Sequence, residues 1–120
     1  MGLSESEEGC LRRFCALLAE RLGADLVAVR MFGSAARGDM WPAHSPMHSD
    51  IDLLVVTRSP VSADVRHELE NETYPLYLEC GRQLSPAFFT EARLKAPESE
   101  RTRDFLAQVE RDGVDVWSSR

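Results

Sequence analysis

The sequence is poor in cysteine, lacks a broad basic tract and has no long apolar run. Its three cysteines, Cys10, Cys15 and Cys80, are odd in number and match no metal-ligand spacing. They read as reduced thiols of a cytoplasmic protein rather than as a disulfide framework. Cys10 and Cys15 fall five apart on an expected helix and do not make a redox pair. A net charge of −6 argues against a broad electrostatic grip on nucleic acid, which needs clustered Lys and Arg. No apolar stretch is long enough to span a membrane. The acidic opening, with Glu5, Glu7 and Glu8, is not that of a signal peptide. Repeats, low-complexity runs and linkers are absent. What is present is a chain of 120 residues, 43% of them hydrophobic, enough for one folded domain over residues 1–120 with a modest core.

Periodicity and punctuation give the order of elements. Residues 4–22 read as a helix: Ser4 and Glu7 fit a capping box, Leu11, Phe14, Leu18 and Leu22 recur at helical spacing, and Gly23 fits the stop. Residues 25–32 read as a first strand and 34–38 as the start of a short helix. Residues 51–57, nearly all apolar, read as a buried strand ended by Ser59-Pro60. A helix is expected over 62–80, kinked or broken at Pro75 and stopped at Gly81. Residues 83–89 look like a third strand, which Pro86 makes an edge or bulged one. Residues 97–112 read as a helix with Pro97 near its first position, a stripe of Phe105, Leu106 and Val109, and Gly113 as its stop. Val114 to Trp117 completes the pattern as a short strand. The expected fold class is α/β in the wider α+β sense: a small mixed sheet backed by helices on one face.

The chemistry concentrates in two neighbouring segments. Phe32-Gly33-Ser34-Ala35-Ala36-Arg37-Gly38 follows an apolar run, and Ser49-Asp50-Ile51-Asp52-Leu53 opens the next. Gly33 lets the backbone turn tightly and approach a phosphate. Free N–H groups at the start of the following helical turn favour an anion. Ser34 adds a hydroxyl donor, and Arg37 adds a charged, forked one. Alone, such a turn reads better as a strand-to-helix connection with a capping Ser and a solvated Arg; Asp50 and Asp52 downstream turn the balance toward phosphate binding. On a strand, residues i and i+2 share a face, so Asp50 and Asp52 point the same way while Ile51 and Leu53 point into a core. One Asp at a strand start is ordinary. A second inside Ile-Asp-Leu-Leu-Val-Val is costly unless something neutralises it. Two carboxylates about 6–7 Å apart along a strand suit a shared pair of Mg²⁺ ions about 3.5–4 Å apart.

Gly33-Ser34 followed by Asp50-x-Asp52 resembles the signature of the DNA polymerase β-like nucleotidyltransferase superfamily, and the small size resembles its minimal (MNT) branch. Leu84-Ser85-Pro86 and Arg111-Asp112-Gly113-Val114 are similar to the tail of one subgroup of that branch. The resemblance implies a polymerase β-like fold and transfer of AMP from ATP to a hydroxyl. It implies that Gly33, Ser34 and Arg37 bind nucleotide, and that Asp50 and Asp52 are catalytic and hold Mg²⁺. It also implies a partner, a HEPN-family ribonuclease toxin whose Tyr is the acceptor and to which this chain is the antitoxin. A homo-oligomer is left open.

Two departures from the pattern stand out. Fifteen residues separate Ser34 from Asp50, more than is usual in the branch. The surplus is the proline-bearing segment from Met40 to His48, expected to be an irregular loop beside the site. There His44 and His48 read as exposed loop residues, and Trp41 as a stacking or covering ring. Second, the superfamily's third carboxylate is not evident. Ser85 falls where it is expected, and Glu79 and Glu91 are alternatives in reach by sequence only. Elsewhere His67 reads as a surface residue, Tyr74 and Tyr77 as packing or interface, and Glu98 to Arg103 as a solvated helix face. Three functions therefore compete: protein adenylylation, transfer to a small molecule such as a cationic aminoglycoside, and nucleotide or partner binding with weak or no catalysis.

Overall fold

A computed structural model of the chain describes residues 2–39 and 50–119; the expectations for Trp41, His44 and His48 lie outside them. Helix α1 (Glu5–Leu22) opens on the expected capping box: the Ser4 hydroxyl accepts from Glu7 N–H, and the Ser4 N–H donates to Glu7 Oε1. Strand β1 (Leu26–Phe32) runs into the four-residue helix α2 (Ser34–Arg37), and β2 (Ile51–Thr57) follows. The expected helix over 62–80 is two helices, α3 (Ala63–Asn71) and α4 (Thr73–Cys80), with Glu72 between them. Pro75 explains the break, because its ring opposes the carbonyl four residues back, that of Asn71.

Strand β3 (Leu84–Thr90) carries Pro86 and lies at an edge of the sheet, as its proline required. Helix α5 (Glu91–Lys95) has no counterpart in the periodicity; it is too short to show one. Helix α6 (Glu100–Asp112) begins at the cap Ser99, whose hydroxyl accepts from Thr102 N–H. Pro97 therefore precedes the helix instead of sitting near its first position. Strand β4 (Val114–Ser118) completes a four-stranded sheet in the order β3-β2-β1-β4. β1 pairs antiparallel with β2 and β4, and β2 pairs parallel with β3, so the sheet is mixed.

Helices cover both faces of this sheet, not one. Ile51, Leu53 and Val55 of β2 face Phe14, Leu18, Leu69 and Leu76 from α1, α3 and α4. Leu54 and Val56, pointing the other way, meet Val109, Phe105 and Leu94 from α6 and α5. The stripe Phe105, Leu106, Val109 had announced a buried face without saying which side of the sheet it covers. Burial of every β2 residue but the half-buried Asp52 follows from having both layers. Burying a Leu, Val or Phe contributes about 1.5–3 kcal/mol.

Two details of the first layer bear on stability. Glu7 and Arg82 form a buried ion pair, Arg82 Nε to Glu7 Oε2 at 2.9 Å, tying the first turn of α1 to the approach to β3. Cys10 and Cys15 are buried in α1, and burial pushes both thiols up to about 11. Cys10 Sγ donates to the Leu76 carbonyl of α4.

Candidate functional site

The alternation of β2 decides where its acids go. Asp52 shares its face with Leu54 and Val56, the face covered by α6. In the register Asp52 lies between Phe32 on β1 and Ser85 on β3. Asp50 stands just before the strand and, by the same period of two, on the same side. The site is thus the meeting point of the end of β1 with the starts of β2 and β3.

Gly33 joins β1 to α2 with φ 73°, a conformation that a side chain rarely adopts. The second reason for glycine is proximity. A Cβ built at position 33 would lie 2.5 Å from Asp52 Oδ2, well inside contact distance. The bare backbone of the turn and the second aspartate therefore occupy one cradle. In α2 the first helical bond is Arg37 N–H to Gly33 O at 3.1 Å, so the amides of Ser34, Ala35 and Ala36 precede any intrahelical acceptor. The Arg37 guanidinium, exposed, donates from Nε to Asp39 Oδ2 at 3.2 Å.

Electrostatics bind these pieces together. Burial raises the Asp52 carboxyl above its ordinary value, the neighbouring Asp50 raises it further, and Arg37 partly opposes both. Asp50 in turn accepts a hydrogen bond from the Ser85 hydroxyl, Oγ to Oδ2 at 2.9 Å. Two hard oxygen donors that repel each other, beside a backbone cradle, fit a divalent oxygen-seeking cation. No group of three or more His, Cys, Asp or Glu side chains suited to a metal occurs among the described residues.

All five expected site residues, Gly33, Ser34, Arg37, Asp50 and Asp52, lie at or beside this one place. The substitutes for a third acid do not. Glu79 lies on α4, packed on the opposite face of the sheet, and is bound there by Arg13 of α1. Glu91 lies beyond the far end of β3, where it faces Arg58 at 3.9 Å. Ser85 holds the register position beside Asp52 instead. Residues of α6 were missed in the sequence: Phe105, Gln108 and Asp112 line a crevice of about 140 Å³ with Phe32, Gly33 and Arg37. The sequence showed Phe105 only as part of an apolar stripe that reads as core, showed Asp112 only within the Arg111-to-Val114 tail, and gave Gln108 no role. A larger cavity of about 590 Å³, between α1, α2 and β4, shares Arg37 with the site but neither aspartate.

A sequence model of the nucleotidyltransferase domain matches residues 11–109. No curated protein matches the chain. Among solved structures it is similar to a spectinomycin adenyltransferase from Enterococcus faecialis with ATP and spectinomycin. There the TM-score is 0.72 at 15% identity, over 93% of this chain and 56% of that one. It is also similar to a toxin-antitoxin with AMP-PNP, at TM-score 0.60 and 18% identity over 94% of this chain and 74% of that one. A third likeness is to the complex of tri-AMPylated Shewanella oneidensis HEPN toxin with MNT antitoxin. Its TM-score is 0.58 at 16% identity, with 94% and 73% of the two chains covered. Identities this low establish a shared fold.

Proposed function

The chain belongs to the nucleotidyltransferase domain family, and from that premise we propose that it moves AMP from ATP to a hydroxyl, that of a Tyr on a HEPN ribonuclease toxin. The observation that carries this reading is the cradle in which Gly33 backbone meets the Asp52 carboxylate, with Asp50 alongside. The likeness to the tri-AMPylated HEPN toxin complex supports the acceptor. The reduced thiols suit a cytoplasmic setting, where ATP is available.

In this reading the turn at Gly33 and the leading amides of α2 hold the β- and γ-phosphates, with the Ser34 hydroxyl as a further donor. Arg37 adds positive charge beside them. Asp50 and Asp52 hold Mg²⁺, which when bound neutralises charge on the reacting phosphate and orients its oxygens. The acceptor hydroxyl gives its proton to solvent as its oxygen bonds to the α-phosphorus, the bond to the β-phosphate oxygen breaks, and pyrophosphate leaves in line. The chain's contribution is positioning and charge.

Ser85 in the register position beside Asp52 favours a second reading. With a serine at that position and no group of three or more metal-suited side chains among the described residues, catalysis is weak and the chain acts by binding nucleotide and partner. One experiment separates the two: incubation with Mg²⁺, α-phosphate-labelled ATP and source lysate, beside the Asp50→Asn/Asp52→Asn double variant. Label on one small protein, with wild type only, establishes protein adenylylation. Label on a small molecule transfers the reading to a metabolite or drug. No label despite ATP binding leaves the binding module.

A further inference from the structure

We propose that Ser85 is the positioning residue of the acidic pair, holding Asp50 so that its second oxygen and the Asp52 carboxylate face one divalent cation together. The inference rests on reading Asp50 and Asp52 as the cation-binding pair. The two acids are held very differently. Asp52 lies inside the ladders on both sides, opposite Phe32 and Ser85, so the sheet fixes the direction of its side chain. Asp50 lies outside both ladders: the pairing with β1 ends at Asp52, and the pairing with β3 ends at Ile51 opposite Leu84. Without a tether, repulsion from Asp52 drives the Asp50 carboxylate away from the place where a cation needs it.

The Ser85 hydroxyl is that tether, and the one hydrogen bond to this carboxylate among the described residues. A serine hydroxyl has a single proton to give, and here Asp50 Oδ2 takes it, leaving Oδ1 free. Strand propensity does not explain a serine at this place, since β-branched and aromatic residues suit strands better. Ser85 is half-buried on the site face of an edge strand, where packing makes little demand on it. A hydrogen-bond partner that orients a ligating carboxylate typically changes metal affinity by about 10–100-fold when removed.

The test is calorimetric titration of Mn²⁺ into wild type, Ser85→Ala and Ser85→Thr, with and without AMP-PNP. Ser85→Ala is expected to bind Mn²⁺ about tenfold more weakly or worse. Ser85→Thr, which keeps the hydroxyl, is expected to recover near wild-type affinity, while all three share one thermal midpoint without metal. Should the alanine variant fail to fold, Ser85→Cys keeps the size with a poor donor and takes its place. Equal affinity in wild type and Ser85→Ala, or no recovery in Ser85→Thr, overturns the proposal alone. A wild type that binds no Mn²⁺ even with AMP-PNP removes the acidic-pair reading and this proposal together.

Discussion

At the scale of single residues, Gly33 is where backbone and chemistry constrain each other most. Gly33→Ala meets two obstacles at once: a positive φ and the Asp52 carboxylate at 2.5 Å. The backbone strain alone costs on the order of 1–3 kcal/mol. The variant is therefore expected to lower the denaturant midpoint and to weaken nucleotide binding, both readable by urea titration and by AMP-PNP calorimetry. Asp52 gives a prediction of opposite sign. Its carboxyl is raised by burial and by Asp50, so the fold holds a proton there more tightly than the open chain does. Stability from this group is greatest at acid pH and falls as pH rises from the ordinary value of 3.8 through the raised one. Asp52→Asn is expected to raise the metal-free melting midpoint at neutral pH while abolishing stabilisation by Mn²⁺. A midpoint unchanged at pH 7 contradicts this account.

At the scale of elements, the first turn of α1 does more than cap. Burial pushes the Glu7 carboxyl up, but the Ser4 N–H and the Arg82 guanidinium outweigh it and hold it below its ordinary value. Its contribution is present above the ordinary value of 4.5 and is lost as pH falls through the lowered one. Glu7→Gln removes the carboxylate of the buried pair, and is expected to lower the melting midpoint at neutral pH and to blunt acid unfolding measured by circular dichroism. The capping box was legible because Ser4 and Glu7 are three apart in sequence. The ion pair was not, because Arg82 is 75 residues from Glu7. The same difference runs through the chain. Period-two and period-3.6 patterns placed β1, β2 and α1 to within a residue or so. Which side α6 covers, and what Ser85 touches, depend on register between distant strands, which local patterns do not encode. The Gly33-Ser34 turn and the two aspartates were visible because each is a local motif, Gly33 adjacent to Ser34 and Asp50 two residues from Asp52.

At the scale of the whole molecule, the parts of the site come from both sides of a long connection, since β1 and α2 precede residues 40–49 and β2 follows them. A ligand that engages Gly33 and Asp52 together ties these segments and binds only the folded state. At a hundredfold excess over its dissociation constant, AMP-PNP with Mg²⁺ is expected to stabilise the fold by about 2.7 kcal/mol. Scanning calorimetry reads this directly, and an unmoved midpoint at saturating nucleotide speaks against a site formed in the native state. The buried thiols of α1 have a consequence for measurement. Cys10 and Cys15 lie on the inward side of α1, the helix that seals the first core layer, and reagents reach thiolates, not buried thiols. Modification of Cys10, which is fully buried, therefore records an opening of α1 away from the sheet, whereas the half-buried Cys80 need not wait for one. The chain carries its own clock for partial unfolding on that layer, on the face opposite the acidic pair, and its rate reports without any introduced label whether events at the pair are felt across the sheet.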